Sequence, residues 1–334
     1  MEEILRTERN ANLSDVHEAG PRLRKATMIF AADKYNPVYE RAVVSHIRHG
    51  ERWNEPTHIL RHDIVEAGFF NKPAYILGMI INEMAKPYGK RADWIVWFDA
   101  DSILLNHGVP WSVFLPPPEF RHIHFLVTKD QNGFNAGMFI IRVHQWSVKM
   151  LSNVLTLRDW EPSMELPFDD QSAFTWAVGR PGFEEHTIYQ PHNWWNSFGL
   201  QGKPSDTDRF VLHFAGVGCC GGEDKPTTML RWLDLLSTEP DHFYTPLSNL
   251  SLQAEVDEYW STAITAQNAL VDAQQWLDDL GEEAEEAVTA ITELRQTLLT
   301  EADDLSKLKA SINNLVDLKL HMNRKGEEEK SEPE

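Results

Sequence analysis

The chain has 334 residues, 42% of them hydrophobic, enough for one large α/β domain with an extension or for two ordinary domains. Its 31 basic and 51 acidic side chains leave a net charge of −20, which makes it a poor nucleic-acid binder. The adjacent Cys219 and Cys220 are its only cysteines, excluding a disulfide framework and a CxxC metal knuckle, and no apolar run is long enough to span a bilayer.

Residues 1–24 are polar and read as a lead-in without signal-peptide layout. "ATMIFAAD", Ala26 to Asp33, reads as a first buried strand, and "PVYERAVVSHIRHGERW" as a helix. Thr57 to Asp63 reads as a second strand, and "KPAYILGMIINEMAKPYG" as a helix ended by Pro87 and Gly89. "DWIVWFDAD" is the third strand. Trp94 to Phe98 are all bulky and apolar, as in a strand buried on both faces. Strands alternating with helices predict an α/β fold with a mostly parallel central sheet.

Such sheets bind ligands beyond the carboxyl ends of their strands. Asp99 and Asp101 end the third strand at that place, and Ala31 and Asp33 end the first. Two carboxylates one residue apart can hold a hard divalent cation, and the cation can bridge them to a diphosphate. Two other readings of the pair are a solvated strand end and a phosphatase of the haloacid dehalogenase kind. In the latter, Gly or a β-branched residue usually follows the pair; here Ser102-Ile103 follows.

Further along, "HIHFLVTKD" is a strand candidate, and "GFNAGMFIIRV" places a glycine-bracketed turn before an apolar run. "QWSVKMLSNVLTL" reads as an amphipathic helix. "DDQSAFTWAV" reads as a helix start with acidic residues suited to the dipole. "HTIYQPHNWWNSFG" reads as an aromatic loop, and "RFVLHFAGVG" as a last strand opening into a glycine-rich loop.

The tail differs. Residues 253–334 hold 20 acidic and 7 basic side chains, which sets a boundary near Leu250. A heptad row from Ala263 to Ile312 and a companion row from Ala266 to Leu315 are apolar at fifteen of sixteen positions. The register runs through Gly281, the one candidate hairpin point, and so predicts one long acidic coiled-coil helix over 253–320. Such a helix needs a second one to cover its seam, from another protein or another copy. Residues 321–334 read as disordered.

"WIVWFDADSILLN", "GFNAGMFIIRVHQWSVKML", "FDDQSAF" and "VLHFAG" occur in this order, and together they resemble glycosyltransferase family 34 over roughly residues 26–235. That family holds fungal α-galactosyl- and α-mannosyltransferases and plant xyloglucan xylosyltransferases. The resemblance implies a GT-A fold and a Mn²⁺-dependent, retaining transfer. A hexose or pentose would pass from UDP-galactose, UDP-xylose or GDP-mannose to a glycan acceptor. It implies that Asp99, Asp101 and His213 hold the metal, and that Asp170 and Gln171 lie beneath the sugar as the catalytic pair, with Asp169 beside them. Asn135, Ala136 and Gly137 would line the donor sugar, and Gly216 and Gly218 the diphosphate loop. His192, Asn193, Trp194, Trp195 and Asn196 would face the acceptor.

From the residues alone, His213 reads rather as a packed strand-end histidine; the other readings of Asn135–Gly137, of Asp169 with Asp170 and of the tryptophan pair are a tight turn, helix caps and core. The chain departs from the family pattern at Val217, at the extra Cys219, and at Gly218, where some relatives carry a lysine; Lys225 or Lys203 could substitute. The resemblance also implies a Golgi membrane association, although the chain shows neither signal peptide nor membrane span and is consistent with the cytoplasm. The alternative function is a non-catalytic GT-A-fold subunit that assembles a transferase complex through its coiled coil.

Overall fold

The computed structural model describes residues 20–29, 36–66, 68–198, 209–218, 222–280 and 284–331. Six strands form one sheet in the order β2-β1-β3-β6-β5-β7. They are β1 (Leu23–Met28), β2 (Thr57–Leu60), β3 (Trp94–Phe98), β5 (Phe125–Asp130), β6 (Gly133–Arg142) and β7 (Thr187–Tyr189). Only β6 runs antiparallel to its neighbours β3 and β5; β1 pairs parallel with β2 and β3, and β5 with β7. The sheet is therefore mixed and mostly parallel, as the GT-A expectation requires. A two-stranded ladder of β4 (Ser102–Leu104) and β8 (Val211–His213) stands beside it.

β3 is buried along its whole length, and its alternate residues enter two different cores. Ile95 and Trp97 pack with residues of α2 (Asn71–Met84), α3 (Gln145–Trp160) and α4 (Asp169–Val178). Trp94, Val96 and Phe98 belong to an aromatic core that continues through Trp111, Phe114 and Trp194 into the tail. This explains why the strand is a continuous apolar run rather than an alternating one.

α1 (Pro37–Trp53) starts where the chemistry favours it. The Asn36 side chain caps the Val38 and Tyr39 N–H groups, Pro37 fills the first turn, and Asn54 closes the helix with a φ of 55°. α6 (Lys225–Thr238) starts similarly, with Asp224 accepting from the Thr227 N–H at 3.0 Å.

Several expectations need correction. β1 begins at Leu23, inside the stretch read as lead-in, and ends at Met28; Ala31 and Asp33 lie outside the described residues. "GFNAGMFIIR" is one ten-residue strand, so Asn135, Ala136 and Gly137 belong to its ladder and not to a turn. The "HTIYQPHNWW" stretch contains β7 and the short α5 (His192–Trp195).

The tail is the largest correction. The predicted single coiled-coil helix is three helices: α7 (Leu252–Leu280), α8 (Ala284–Thr300) and α9 (Leu305–Ser331). The chain reverses between α8 and α9, where Asp304 caps the new helix through the Ser306 and Lys307 N–H groups. Thr297 and Ser311 face each other across that hairpin at 3.2 Å. The seam residues Ala263, Ala266, Ala273, Ala287, Ile291, Leu294, Leu308, Ile312 and Leu315 are buried within the chain itself, in the same core as Trp194 and Phe120. The physical reason given for a partner helix, an uncovered seam, therefore does not hold. The stretch 321–331, read as disordered, continues α9; its Lys, Arg and Glu residues are good helix formers, and Gly326 opposes them most. No described helix is long and apolar enough to cross a membrane.

Candidate active site

Asp99 follows β3, and its N–H donates to the Gly137 carbonyl of β6 at 2.7 Å. The chain then turns, with the Ser102 hydroxyl donating to the Asp99 carbonyl at 2.7 Å, and enters β4. β4 pairs antiparallel with β8 so that Ser102 stands opposite His213, and the Phe214 N–H donates to the Asp101 carbonyl at 2.9 Å. This ladder brings a histidine from far along the chain to the acidic pair. Asp99, Asp101 and His213 each present a ligand atom, and the three atoms lie within 4.8 Å of one another.

The imidazole is oriented from behind. Asn196, fully buried, donates its amide to Thr128 Oγ1 at 2.7 Å and to Asn135 Oδ1 at 3.1 Å. Its carbonyl oxygen is thus the acceptor that faces His213 Nδ1 at 2.9 Å. Nδ1 carries the proton of that bond, and Nε2 is the atom turned to Asp101, 3.4 Å from its carboxylate. Metal-binding histidines are commonly held in this way through their second nitrogen. Asn135 closes the chain, accepting from the Gly137 N–H at 3.0 Å and donating to Asp130 at 2.8 Å. Two carboxylates and one imidazole suit a divalent cation such as Mn²⁺. Room for the imidazole depends on Gly137, where a side chain would collide with the ring of His213.

Cations complete the site. Lys225, the first residue of α6, donates to Asp101 Oδ2 at 2.5 Å. Burial would raise the Asp101 carboxyl, but His213 and Lys225 outweigh it and hold it below the usual carboxylate range. The Gly216 and Gly218 φ angles of 68° and 86° suit glycine and let the loop after β8 turn towards α6. Lys72, on the first turn of α2, is buried beneath the acidic pair. Its ammonium lies 3.2 Å from Asp99, 3.1 Å from Asp170 and 2.9 Å from the Ala136 carbonyl. Burial alone would lower Lys72; the carboxylates of Asp170 and Asp99 reverse that and raise it. Asp170 is raised by burial and by Asp99, against the pull of Lys72. Gln171 accepts from the Ala136 N–H at 2.9 Å, which ties α4 to the middle of β6.

The structure thus gathers Asp99, Asp101, His213, Asn135, Ala136, Gly137, Asp170 and Gln171, with Lys225 and the glycine loop at their edge. Other candidates stand apart. Asp169 has a φ of 46° that turns it out to Arg158, 3.5 Å away. Trp194 and Trp195 are core residues, bonded through their indole N–H groups to Glu255 and Gln190. Asn196 is buried behind His213. His192 and Asn193 are exposed, and the His192 ring stacks on Phe198, which in turn lies against His213. Lys203, Cys219 and Cys220 lie outside the described residues.

Sequence reasoning missed Lys72 and Tyr39. Lys72 is the only cation of a largely apolar helix, which was its one signal. Tyr39 is half-buried near the acidic pair; burial and the charges of Asp101 and Asp99 push its hydroxyl up, against Lys225.

The sequence profile of the galactosyl transferase GMA12/MNN10 family matches residues 118–224. The chain is similar to that family over those residues. The matched span contains Asn135–Gly137, Asp170, Gln171 and His213; the acidic pair precedes it. An α-1,2-galactosyltransferase of Schizosaccharomyces pombe is 24% identical over 184 residues, covering 44% of this chain and 47% of its own length. The chain therefore spans about half the length of this curated relative. Among solved structures, a glycosyltransferase involved in the glycosylation of the major capsid of PBCV-1 aligns at a TM-score of 0.49. It is 14% identical, over 63% of this chain and all of its own. The glycosyltransferase GlyE of Streptococcus pneumoniae TIGR4 aligns at 0.42 with 12% identity, over 74% of this chain and 64% of its own.

Proposed function

We propose that the chain is a glycosyltransferase moving a hexose or pentose from a nucleotide diphosphate sugar to a carbohydrate hydroxyl, with Mn²⁺ as cofactor. The observation that carries this reading is the convergence of Asp99, Asp101 and His213, with Lys225 bonded to the same Asp101. A bound divalent cation would supply Lewis-acid stabilisation of the departing diphosphate. Among the described residues Lys225, bonded to Asp101, would give a diphosphate oxygen a charged donor in place of the loop lysine of some relatives. Asn196 and Asn135 hold the imidazole in its liganding tautomer. Asp170 and Gln171 border the donor-sugar side, and Asp170 offers negative charge where a retaining transfer develops positive charge at the anomeric carbon. Lys72 positions that carboxylate, and Gln171 fixes the strand through Ala136 rather than offering a free oxygen.

The competing reading, a non-catalytic assembly subunit, rested on the missing loop lysine and on the heptad tail; the seam of that tail is covered within the chain. Incubation with UDP- and GDP-sugars, with and without Mn²⁺, tests the proposal. Metal-dependent release of UDP or GDP, lost in Asp101→Asn, is the expected result. No release and no metal-dependent nucleotide binding with any donor would overturn it.

A further inference from the structure

Away from the acidic pair, a cavity of about 650 Å³ opens between α1 and α6. None of Asp99, Asp101, His213 and Lys225 lines it. Its floor carries three guanidiniums from one face of α1: Arg41, Arg48 and Arg52. Spacings of seven and four residues put them in line along the helix. Such a row is unexpected in a chain of net charge −20.

The three are not equally occupied. Arg41 is bonded to Asp234 at 2.7 Å. Arg52 donates to the Tyr244 hydroxyl at 2.7 Å and lies 5.0 Å from the centre of its ring. Arg48 has no hydrogen-bond or ion-pair partner among the described residues. Asp241 is the one carboxylate on the wall, so even with Asp234 counted the cavity keeps an excess of positive charge. His107, on the same wall, registers this: burial first, and then Lys25, Arg48 and Arg52, hold its imidazole down at about 4. The rest of the lining is Ser45 and Ser237 together with an apolar part, Val44, Leu105, Leu233, Leu236 and Pro240, and the Tyr244 ring.

A guanidinium fork matches the oxygens of a phosphate, and an aromatic ring over an apolar wall accepts a flat organic body. The volume falls in the range of small-molecule sites. We propose that this cavity binds a small phosphate-bearing ligand of nucleoside monophosphate size, with its phosphate on Arg48 and Arg52 and its ring against Tyr244. This site is separate from the one that carries the proposed transferase activity and does not depend on it.

Calorimetry on the full chain, in excess chelator so that no divalent metal supports the acidic-pair site, tests the assignment. UMP, AMP, uridine and inorganic phosphate are the probes. A nucleotide should bind more tightly than phosphate or uridine. Arg48→Gln should weaken it about tenfold, and Arg48→Gln with Arg52→Gln further still. Asp101→Asn should leave the affinity unchanged. Arg48 is exposed, so its variant should melt like the parent, and thermal denaturation checks this. No binding of any probe at millimolar concentration, or binding that Asp101→Asn abolishes and Arg48→Gln spares, overturns the proposal. Phosphate binding as tightly as either nucleotide overturns the role given to Tyr244.

Discussion

Gly137 and the ring of His213 leave no room for a side chain between them: a Cβ at position 137 would lie 2.1 Å from the imidazole Cε1 and 2.8 Å from Nε2. The ring cannot retreat easily, because Nδ1 is fixed by Asn196 and the Asn196 amide by Thr128 and Asn135. One glycine in the middle of a central strand, where glycine ordinarily weakens pairing, is thus tied to the candidate metal site.

Gly137→Ala should displace His213 and weaken Mn²⁺-dependent binding of UDP or GDP by at least about tenfold, with an overpacking cost of roughly 1–3 kcal/mol. Calorimetry and urea denaturation separate the two effects. Wild-type affinity in a folded variant would show that His213 is not a ligand.

Asn196→Ala removes the acceptor for the His213 Nδ1 proton without touching the acidic pair. Loss of such an orienting partner typically costs about 10–100-fold in metal affinity. Titration of Mn²⁺ with a paramagnetic readout should show that loss, and nucleotide binding in excess Mn²⁺ should partly recover. An unchanged titration would remove the orienting role.

How much of this could be read in one dimension follows from what each feature depends on. β3 was legible because burial on both faces leaves a continuous apolar run, and the carboxylates that end it stand out against that run. The pairing of Ser102 with His213 was not legible: β4 and β8 have three residues each, too short for a pattern to show. Asn135 and Asn196 looked like ligand-binding amides, yet both are used up in bonds that only the packed structure reveals. The heptad tail misled for another reason. An apolar seam keeps the same spacing whether its partner is another chain or its own continuation, and only a local feature such as the Asp304 cap distinguishes them.

Lys72 neutralises two carboxylates in a buried place, and its removal leaves both. Lys72→Met should cost about 3–5 kcal/mol of stability, the usual penalty for breaking a buried ion pair. Lys72→Met with Asp170→Asn should recover part of it. Paired urea melts decide; equal stability of the single and double variants would deny the coupling.

A second buried pair predicts a pH dependence. Lys25 lies within 3.2 Å of His49, and Glu55 within 3.4 Å of the same ring. Burial raises the Glu55 carboxyl to about 7, with Lys25 opposing, and lowers the Lys25 ammonium to about 7, with Glu55 opposing. A carboxyl raised on folding stabilises below its unfolded pKa, and that stability is lost as pH rises through the folded value. Lys25→Met takes away the charge that restrains Glu55. The variant should therefore lie closest to wild type near pH 5 and fall further behind as pH rises through 7 towards 9. Lys25→Met with Glu55→Gln should lose most of that slope. Denaturant melts at pH 5 and pH 8 test it, and an equal gap at both values would refute the pairing.

The last prediction concerns the tail. Read as a free coiled coil, residues beyond Leu250 would be dispensable for the domain and would join chains together. The structure argues the opposite on both counts. Tyr259 packs edge-on against Trp194 at 5.3 Å between ring centres, and its hydroxyl donates to the Tyr189 carbonyl at 2.8 Å. Trp260 lies 5.3 Å from Phe120, and Asp303 of the α8–α9 turn holds Lys129 of β5 at 3.1 Å. Each large apolar side chain uncovered would cost roughly 1.5–3 kcal/mol, so losing several approaches the whole stability of a domain. Truncation after Leu250 should therefore give an aggregating or unfolded product, where the intact chain is folded. The intact chain should be monomeric at micromolar concentration, because its seam is already covered. Light scattering and circular dichroism on both proteins check this. A folded, soluble truncation together with a full-length dimer would restore the free coiled coil and refute the folded-back tail.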